Sequence, residues 1–328
     1  MALLLTEDDV RTLLPMPDLI AAMRDALVQY SSGEAQQPLR TVLELGEQKA
    51  FFGVMPAALT EPAAVGTKLV TVFAANRKLG LPSHLATIVL LDPETGQLAA
   101  LIDGRYITEA RTGAVSAVST DLLARADAGI LGVIGSGVQA RSHLEALSCV
   151  RRLRDVRVWS PDEGRRSAFA REMTSHAGVH VEATASAREA VDGADLIVLA
   201  TSSSTPVIAS DWVADGAHIC AVGACRPTQR EMDGALVARA RTFVDSRVGA
   251  FAEAGDIVIA VEEGAITRNH VAGELGELAA GRVTGRQSDR QVTLFKSLGM
   301  AVEDVAAARL TLERAAARGV GHEFAIGV

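Results

Sequence analysis

Cysteine is scarce in this chain: 328 residues hold three, Cys149, Cys220 and Cys225. They cannot all pair within one chain and show no zinc-ligand spacing, so reduced thiols in a cytosolic protein are expected, and no metal site. No uncharged apolar run approaches the roughly 18 residues that a membrane span requires. The N-terminus has no basic region; Leu3, Leu4 and Leu5 give way at once to Glu7, Asp8 and Asp9, unlike a secretory signal. No block of like charge stands out beyond the short Arg151 to Arg154 segment, and the net charge of -8 argues against a nucleic-acid partner. These absences leave the expectation of a soluble, cytoplasmic protein.

What is present is ordinary globular composition, 48% hydrophobic and 22% charged, in a chain long enough for two domains with full cores. Its organising stretch is Gly129 to Cys149, GILGVIGSGVQARSHLEALSC. Gly129 to Ile134 reads as a buried strand, and Gly135-Ser136-Gly137-Val138-Gln139-Ala140 as a G-x-G-x-x-A turn. From Val138, a helix follows with apolar spacing at Val138, Leu144 and Leu147. The first glycine permits the tight turn, the second lets backbone approach a pyrophosphate, and Ala140 lets the helix pack closely with its N–H groups aimed at the phosphates. Dinucleotide binding is the reading favoured over a purely structural turn, because further strands follow downstream.

Before that stretch, Thr6 and Asp9 suggest a capping box. A second helix starts at Pro17, carries Leu19, Ile20, Met23, Leu27 and Tyr30 on one face, and stops at Gly33. Strands are expected at Arg40 to Leu45, Ala50 to Val54, Val65 to Phe73, His84 to Leu91 and Leu98 to Ile102, then a helix from Ile107 to Ala126. After the Gly129 strand, five more are expected at Val156 to Trp159, Val179 to Glu182, Leu196 to Ala200, His218 to Val222 and Thr242 to Asp245. Helical segments such as Gly164 to Ala177 lie between most of them. That alternation implies an α/β, doubly wound parallel sheet with its ligand at the carboxyl ends of strands one and four. A last helix, Met300 to Ala317, presents Val302, Val305, Ala308 and Leu312 and has no place in a sheet already covered, so it is expected to return to the N-terminal domain.

Arg40, Lys68 and Arg111 lie in or beside apolar segments. Each reads singly as a solvated or salt-bridged cation, but a cation within an apolar stretch costs desolvation unless it meets an anion.

The runs MPA (Met55 to Ala57), TKLV (Thr67 to Val70), PSHLAT (Pro82 to Thr87), ARTGAVSA (Ala110 to Ala117), GSGVQA, GACRPTQREMD (Gly223 to Asp233) and FKSLGMAVED (Phe295 to Asp304) together resemble the ornithine cyclodeaminase and mu-crystallin family, in order over nearly the whole chain. The resemblance implies a Rossmann nicotinamide-binding domain, taken as 119–298. It is inserted between the segments 1–118 and 299–328 of an α+β substrate and dimerisation domain, and a homodimer is implied. It implies Arg40, Lys68, Arg111 and Thr87 as substrate-binding residues, with Lys68, Arg111 and His84 as candidate catalytic residues. For His84 a core or supporting role is the alternative. It implies Gly135, Ser136, Gly137, Val138 and Gln139 at the pyrophosphate, and Thr201, Ser202, Ser297 and Leu298 on the nicotinamide side.

At the end of strand two stands Ser160, where NAD-specific folds place an acid, with Arg165 and Arg166 close by. This favours NADPH over NADH, although Asp162 and Glu163 pull the other way. Cyclodeaminases of the family carry a glutamate shortly before the MP pair and an aspartate after strand five; here those positions are Gly53 and Cys225. A diamine that must lose ammonia would lack its acid and base. A cyclic ketimine needs only one hydride and a gripped carboxylate. NAD(P)H-dependent reduction of Δ1-pyrroline-2-carboxylate or Δ1-piperideine-2-carboxylate to proline or pipecolate is therefore the expected activity. The alternatives are an ornithine cyclodeaminase, an alanine-type dehydrogenase and a nucleotide-binding protein without turnover.

Overall fold

The capping box at Thr6 forms: its hydroxyl accepts the Asp9 N–H at 3.3 Å, and the Asp9 carboxylate accepts the Thr6 N–H at 2.9 Å, opening a helix over Glu7–Leu13. The next helix, Met16–Ser32, buries Leu19, Ile20, Met23 and Leu27, leaving Tyr30 at its margin. The computed structural model describes residues 1–46 and 50–326. Two units emerge, Met1–Arg111 with Met300–Val328, and Thr112–Gly299. The first division falls inside one helix, Gly104–Leu123.

The first unit holds a seven-stranded sheet in the order His322–Phe324, Ala2–Leu5, Leu98–Asp103, His84–Leu91, Ala63–Val72, Ala50–Thr60, Thr41–Leu45. Neighbours are antiparallel except Ala2–Leu5 with Leu98–Asp103. The two outermost strands at the first edge were not expected. A run of three leucines does not alternate, and its partners lie far away in sequence. The strand from Ala50 was expected to stop at Val54, since a proline reads as a strand end; the ladder instead passes through Pro56, opposite Thr67, to Thr60. The helix Ala301–Arg318 covers one face of this sheet, against the strands Ala50–Thr60, Ala63–Val72 and His84–Leu91.

The second unit is an all-parallel sheet of eight strands. Their order is Val271–Glu274, Arg241–Val244, Thr293–Lys296, His218–Ala221, Leu196–Leu199, Ile130–Ile134, Asp155–Trp159, Val181–Ala183. The six expected strands are present, and Val271–Glu274 and Thr293–Lys296 are additions. The latter threads between two strands that precede it, a placement that local periodicity cannot reveal. Strand order reverses between Ile130–Ile134 and Leu196–Leu199, which opens the ligand crevice at their carboxyl ends. The apolar core of this unit includes Ile134, Leu199, Ile219, Val244 and Leu294. Among the described residues no helix is long and apolar enough to cross a membrane.

Candidate functional site

Lys68 lies in an apolar row. Its cross-strand partners are Met55 and Ile88, and Ile88 lies opposite Ile102. Met55 is 4% exposed, both isoleucines are fully buried, and Lys68 itself is 2% exposed. An ammonium there loses its hydration and needs an anion. The first turn of the helix Ala301–Arg318 supplies one: Asp304 Oδ2 lies 2.5 Å from Lys68 Nζ. Arg111 joins through its fork, Nη1 donating to Glu303 Oε2 at 2.7 Å and Nε to Asp304 Oδ1 at 3.2 Å. Burial, abetted by the positive fields of Arg111 and Arg40 and opposed by Asp304, brings the Lys68 pKa from 10.5 down to about 8. Burial pushes the Asp304 carboxyl up, but Lys68 and Arg111 outweigh it and hold it below the usual range. The pair is therefore ionic at neutral pH. Arg40 is close enough for its field to be felt at Lys68, so three cations lie about this face, a setting suited to an anionic ligand.

Side chains alternate along a strand, so His84 and Ile88 project from one face and Thr87 from the other. His84 therefore shares the face of Lys68. Burial first, then Lys68 and Arg111, lowers its pKa to about 4. At neutral pH it is an uncharged hydrogen-bonding group and not a store of acid. Thr87 is exposed on the opposite face, and the structure does not bring it to the cluster. Gly53 sits on the Lys68 face, where a Cβ would come within 2.9 Å of Val70 Cγ1. A cavity of about 670 Å³ elsewhere in this unit, bordered by Met1, Asp92 and Leu312, contains none of these cations.

In the second unit the glycine turn takes its expected form. Gly135 adopts φ +116° and packs so tightly on the Ala200 carbonyl that a side chain would collide with it. Gly137 caps the helix Val138–Val150 with no side-chain hydrogen bond, and a Cβ there would meet open space. Free first-turn N–H groups in front of an open approach form an anion cradle. Gln139 Oε1 is buried beside it without a hydrogen-bond partner. The structure thus fits a dinucleotide pyrophosphate. Ala140, Leu144 and Leu147 are buried as the spacing requires, but Val138 is 48% exposed and belongs to the approach, not the core.

Around the cradle, Ser136 Oγ and Ser160 Oγ are 2.9 Å apart, and Arg166 Nη1 donates to the Ser160 carbonyl at 3.1 Å. Asp162 caps the helix Glu163–Ala177 by accepting the Arg165 N–H at 3.0 Å, while the Arg165 side chain remains 72% exposed. The Ser297 hydroxyl turns inward to Asp245 at 3.4 Å, and the same Asp245 oxygen accepts the Leu298 N–H at 2.6 Å. Ser202 is exposed, whereas the Thr201 N–H donates to Glu231 at 2.7 Å. Cys225 is exposed in the loop after His218–Ala221.

Sequence reasoning missed Glu303 and Asp304, because acids in a helix's first turn read as partners of its dipole. It also missed Asp245, Glu231, Asp256 and Lys296, single charges with no local pattern. A signal was nonetheless available for the first two: adjacent acids flanked by Ala301-Val302 and Val305-Ala306-Ala307-Ala308 have no polar face to occupy. Among the described residues no group of His, Cys, Asp and Glu could hold a metal ion.

Residues 1–319 match the ornithine cyclodeaminase/mu-crystallin family. The mouse (Mus musculus) ketimine reductase mu-crystallin is 39% identical over 90% of this chain and 91% of its own. The Thermococcus litoralis Delta(1)-pyrroline-2-carboxylate reductase, solved with NADH and L-proline, is 40% identical with a TM-score of 0.96, covering 98% of this chain and 100% of that one. An archaeal alanine dehydrogenase dimer with bound NAD has a TM-score of 0.94 at 34% identity over 99% of both chains.

Proposed function

The chain belongs to the ornithine cyclodeaminase/mu-crystallin family, and from that premise we propose that it is an NAD(P)H-dependent reductase of cyclic ketimine carboxylates, forming proline or pipecolate from Δ1-pyrroline-2-carboxylate or Δ1-piperideine-2-carboxylate. The observation that carries this reading is the buried cationic cluster of Lys68 and Arg111 on a strand face where position 53 is a glycine and supplies no acid. Lys68, Arg111 and Arg40 grip the substrate carboxylate, the Arg111 guanidinium being held in place by Glu303 and Asp304. Gly135 to Gln139 receive the pyrophosphate, and the loops at Thr201, Ser202, Ser297 and Leu298 serve the nicotinamide half. The bound reduced cofactor supplies a hydride to the imine carbon, which becomes CH–NH. The ring nitrogen brings its proton from solvent, so neutral His84 need only orient the substrate by a hydrogen bond. Thr87 lies apart from this chemistry.

We also infer a homodimer. The strand Thr41–Leu45 ends its sheet, and the cross-strand row Leu43, Phe52, Thr71 and Leu85 lies on the face opposite Lys68, with Leu43 52% and Leu85 42% exposed. Among the described residues that edge has no further strand, and a largely apolar row beside such an edge favours cover by a second copy.

The decisive assay pairs NAD(P)H oxidation by cyclic ketimines with ammonia release from ornithine. Turnover of the first with little of the second is expected. Robust ammonia release would make the protein a cyclodeaminase, and dinucleotide binding without turnover of either would make it a binding protein.

A further inference from the structure

Among the charges that the second unit buries, Glu231, Asp256 and Lys296 are not used by the proposed chemistry. Glu231 is fully buried, and its two carboxylate oxygens accept separate backbone N–H groups, Thr201 at 2.7 Å and Gly223 at 2.7 Å. Thr201 follows the strand Leu196–Leu199 and Gly223 follows His218–Ala221, and these strands are neighbours. One side chain thus staples together the turns at two adjacent carboxyl ends of the sheet, the edge of the crevice where a dinucleotide lies in such folds. The staple is itself held. Asp256 Oδ1 accepts the Glu231 N–H at 2.7 Å, and Asp256 Oδ2 lies 3.0 Å from Lys296 Nζ, both side chains being fully buried. At Gly255 the carbonyls of Arg226 and Gln229 press so close that any side chain would collide, so the loop from Gly223 to Glu231 packs tightly on the start of the helix Gly255–Glu262. Buried ionic groups of this kind are often no better for stability than apolar replacements. Their position at two strand ends points to a task in the site.

We propose that Glu231 is a positioning residue for the nicotinamide half of the cofactor: by fixing the Thr201 and Gly223 turns against each other, it sets the floor on which the ring rests. The adenosine and pyrophosphate half, held by Gly135 to Gln139 and Ser160, does not depend on it. This rests on the dinucleotide reading above. It goes further by dividing the site into two parts with separate supports.

The test compares two ligands in wild type and Glu231→Gln. NADPH carries the nicotinamide, whereas the 2′-phosphate of ADP-ribose lacks it. Glutamine keeps one acceptor oxygen but turns an NH2 toward the second backbone donor. The variant should therefore bind NADPH about ten-fold more weakly, lose the fluorescence enhancement of the bound nicotinamide, and turn over about ten-fold more slowly, with ADP-ribose 2′-phosphate affinity unchanged within about two-fold. Equal loss for both ligands, or loss for neither, overturns the proposal. Gly223→Ala provides a second test that leaves the charges intact, since its methyl would collide with the Thr201 carbonyl and the Glu231 carboxylate. It should show the same split between ligands, and it decides the matter if Glu231→Gln does not fold. A wild-type protein that binds neither these ligands nor NADH and ADP-ribose would instead fail the dinucleotide reading itself, and one that prefers the NADH pair is tested with NADH and ADP-ribose in the same way.

Discussion

At the scale of residues, the cationic cluster is held together before any substrate arrives. Arg111→Ala removes the cation that faces Glu303 and Asp304 in a buried setting, which costs about 3 to 5 kcal/mol of stability as well as substrate binding. Thermal unfolding of the variant should show a lowered midpoint; an unchanged midpoint would mean that the fork is not engaged. Lys68 provides a pH signature. Its folded pKa, about 8, lies below its ordinary 10.5, so it is charged below pH 8 and loses its proton as pH rises through that value. Affinity for a carboxylate substrate should then fall above about pH 8, and Lys68→Arg should move that fall to higher pH. The stability contribution has the opposite sense. Between about pH 8 and 10.5 the unfolded chain binds more protons, so burial of Lys68 becomes less costly as pH rises. A kcat/KM profile flat to pH 10 would refute the assignment of Lys68 to the carboxylate.

Among the elements, the glycine turn was legible because its chemistry is local: six adjacent residues decide the turn, the close strand approach and the helix start. The parallel core was legible for the same reason, as each strand is a short apolar run between helical segments. What could not be read was pairing at a distance. Ala2–Leu5, His322–Phe324 and Thr293–Lys296 owe their strand character to neighbours far along the chain, and Thr87 projects from the face opposite His84, which their shared motif did not reveal because a motif reports proximity in sequence but not strand parity. The charges that complete the site, Glu303 and Asp304 in one unit and Glu231 in the other, are single residues defined only by what they meet in space. The end of the strand Asp155–Trp159 carries a prediction of its own. Asp162, the acid nearest Ser160, caps the next helix and pairs through Oδ2 with Arg165 Nε at 3.3 Å, while the Arg165 side chain stays 72% exposed, within reach of solvent and of a phosphate. Higher catalytic efficiency with NADPH than with NADH is expected, and Arg165→Ala should reduce it about ten-fold for NADPH alone. Equal loss with both cofactors would remove Arg165 from 2′-phosphate recognition.

At the scale of the whole molecule, the apolar row Leu43, Phe52, Thr71 and Leu85 predicts a sedimentation mass of twice the 34.3 kDa chain, and Leu43→Arg should halve it. A wild-type mass of one chain at micromolar concentration would end the homodimer reading. The helix Ala301–Arg318 has a further consequence, for biosynthesis. It covers a sheet whose main strands are made before residue 104, and it delivers the anions that Lys68 and Arg111 require. On the ribosome the whole of Thr112–Gly299 is synthesised in between, an interval of about 10 to 40 seconds at ordinary elongation rates. For that time the leading segment presents an uncovered apolar face and two cations without their counterions. The unit that begins first is therefore the one that finishes last, and its exposed sheet face is expected to need cover until the helix Ala301–Arg318 emerges.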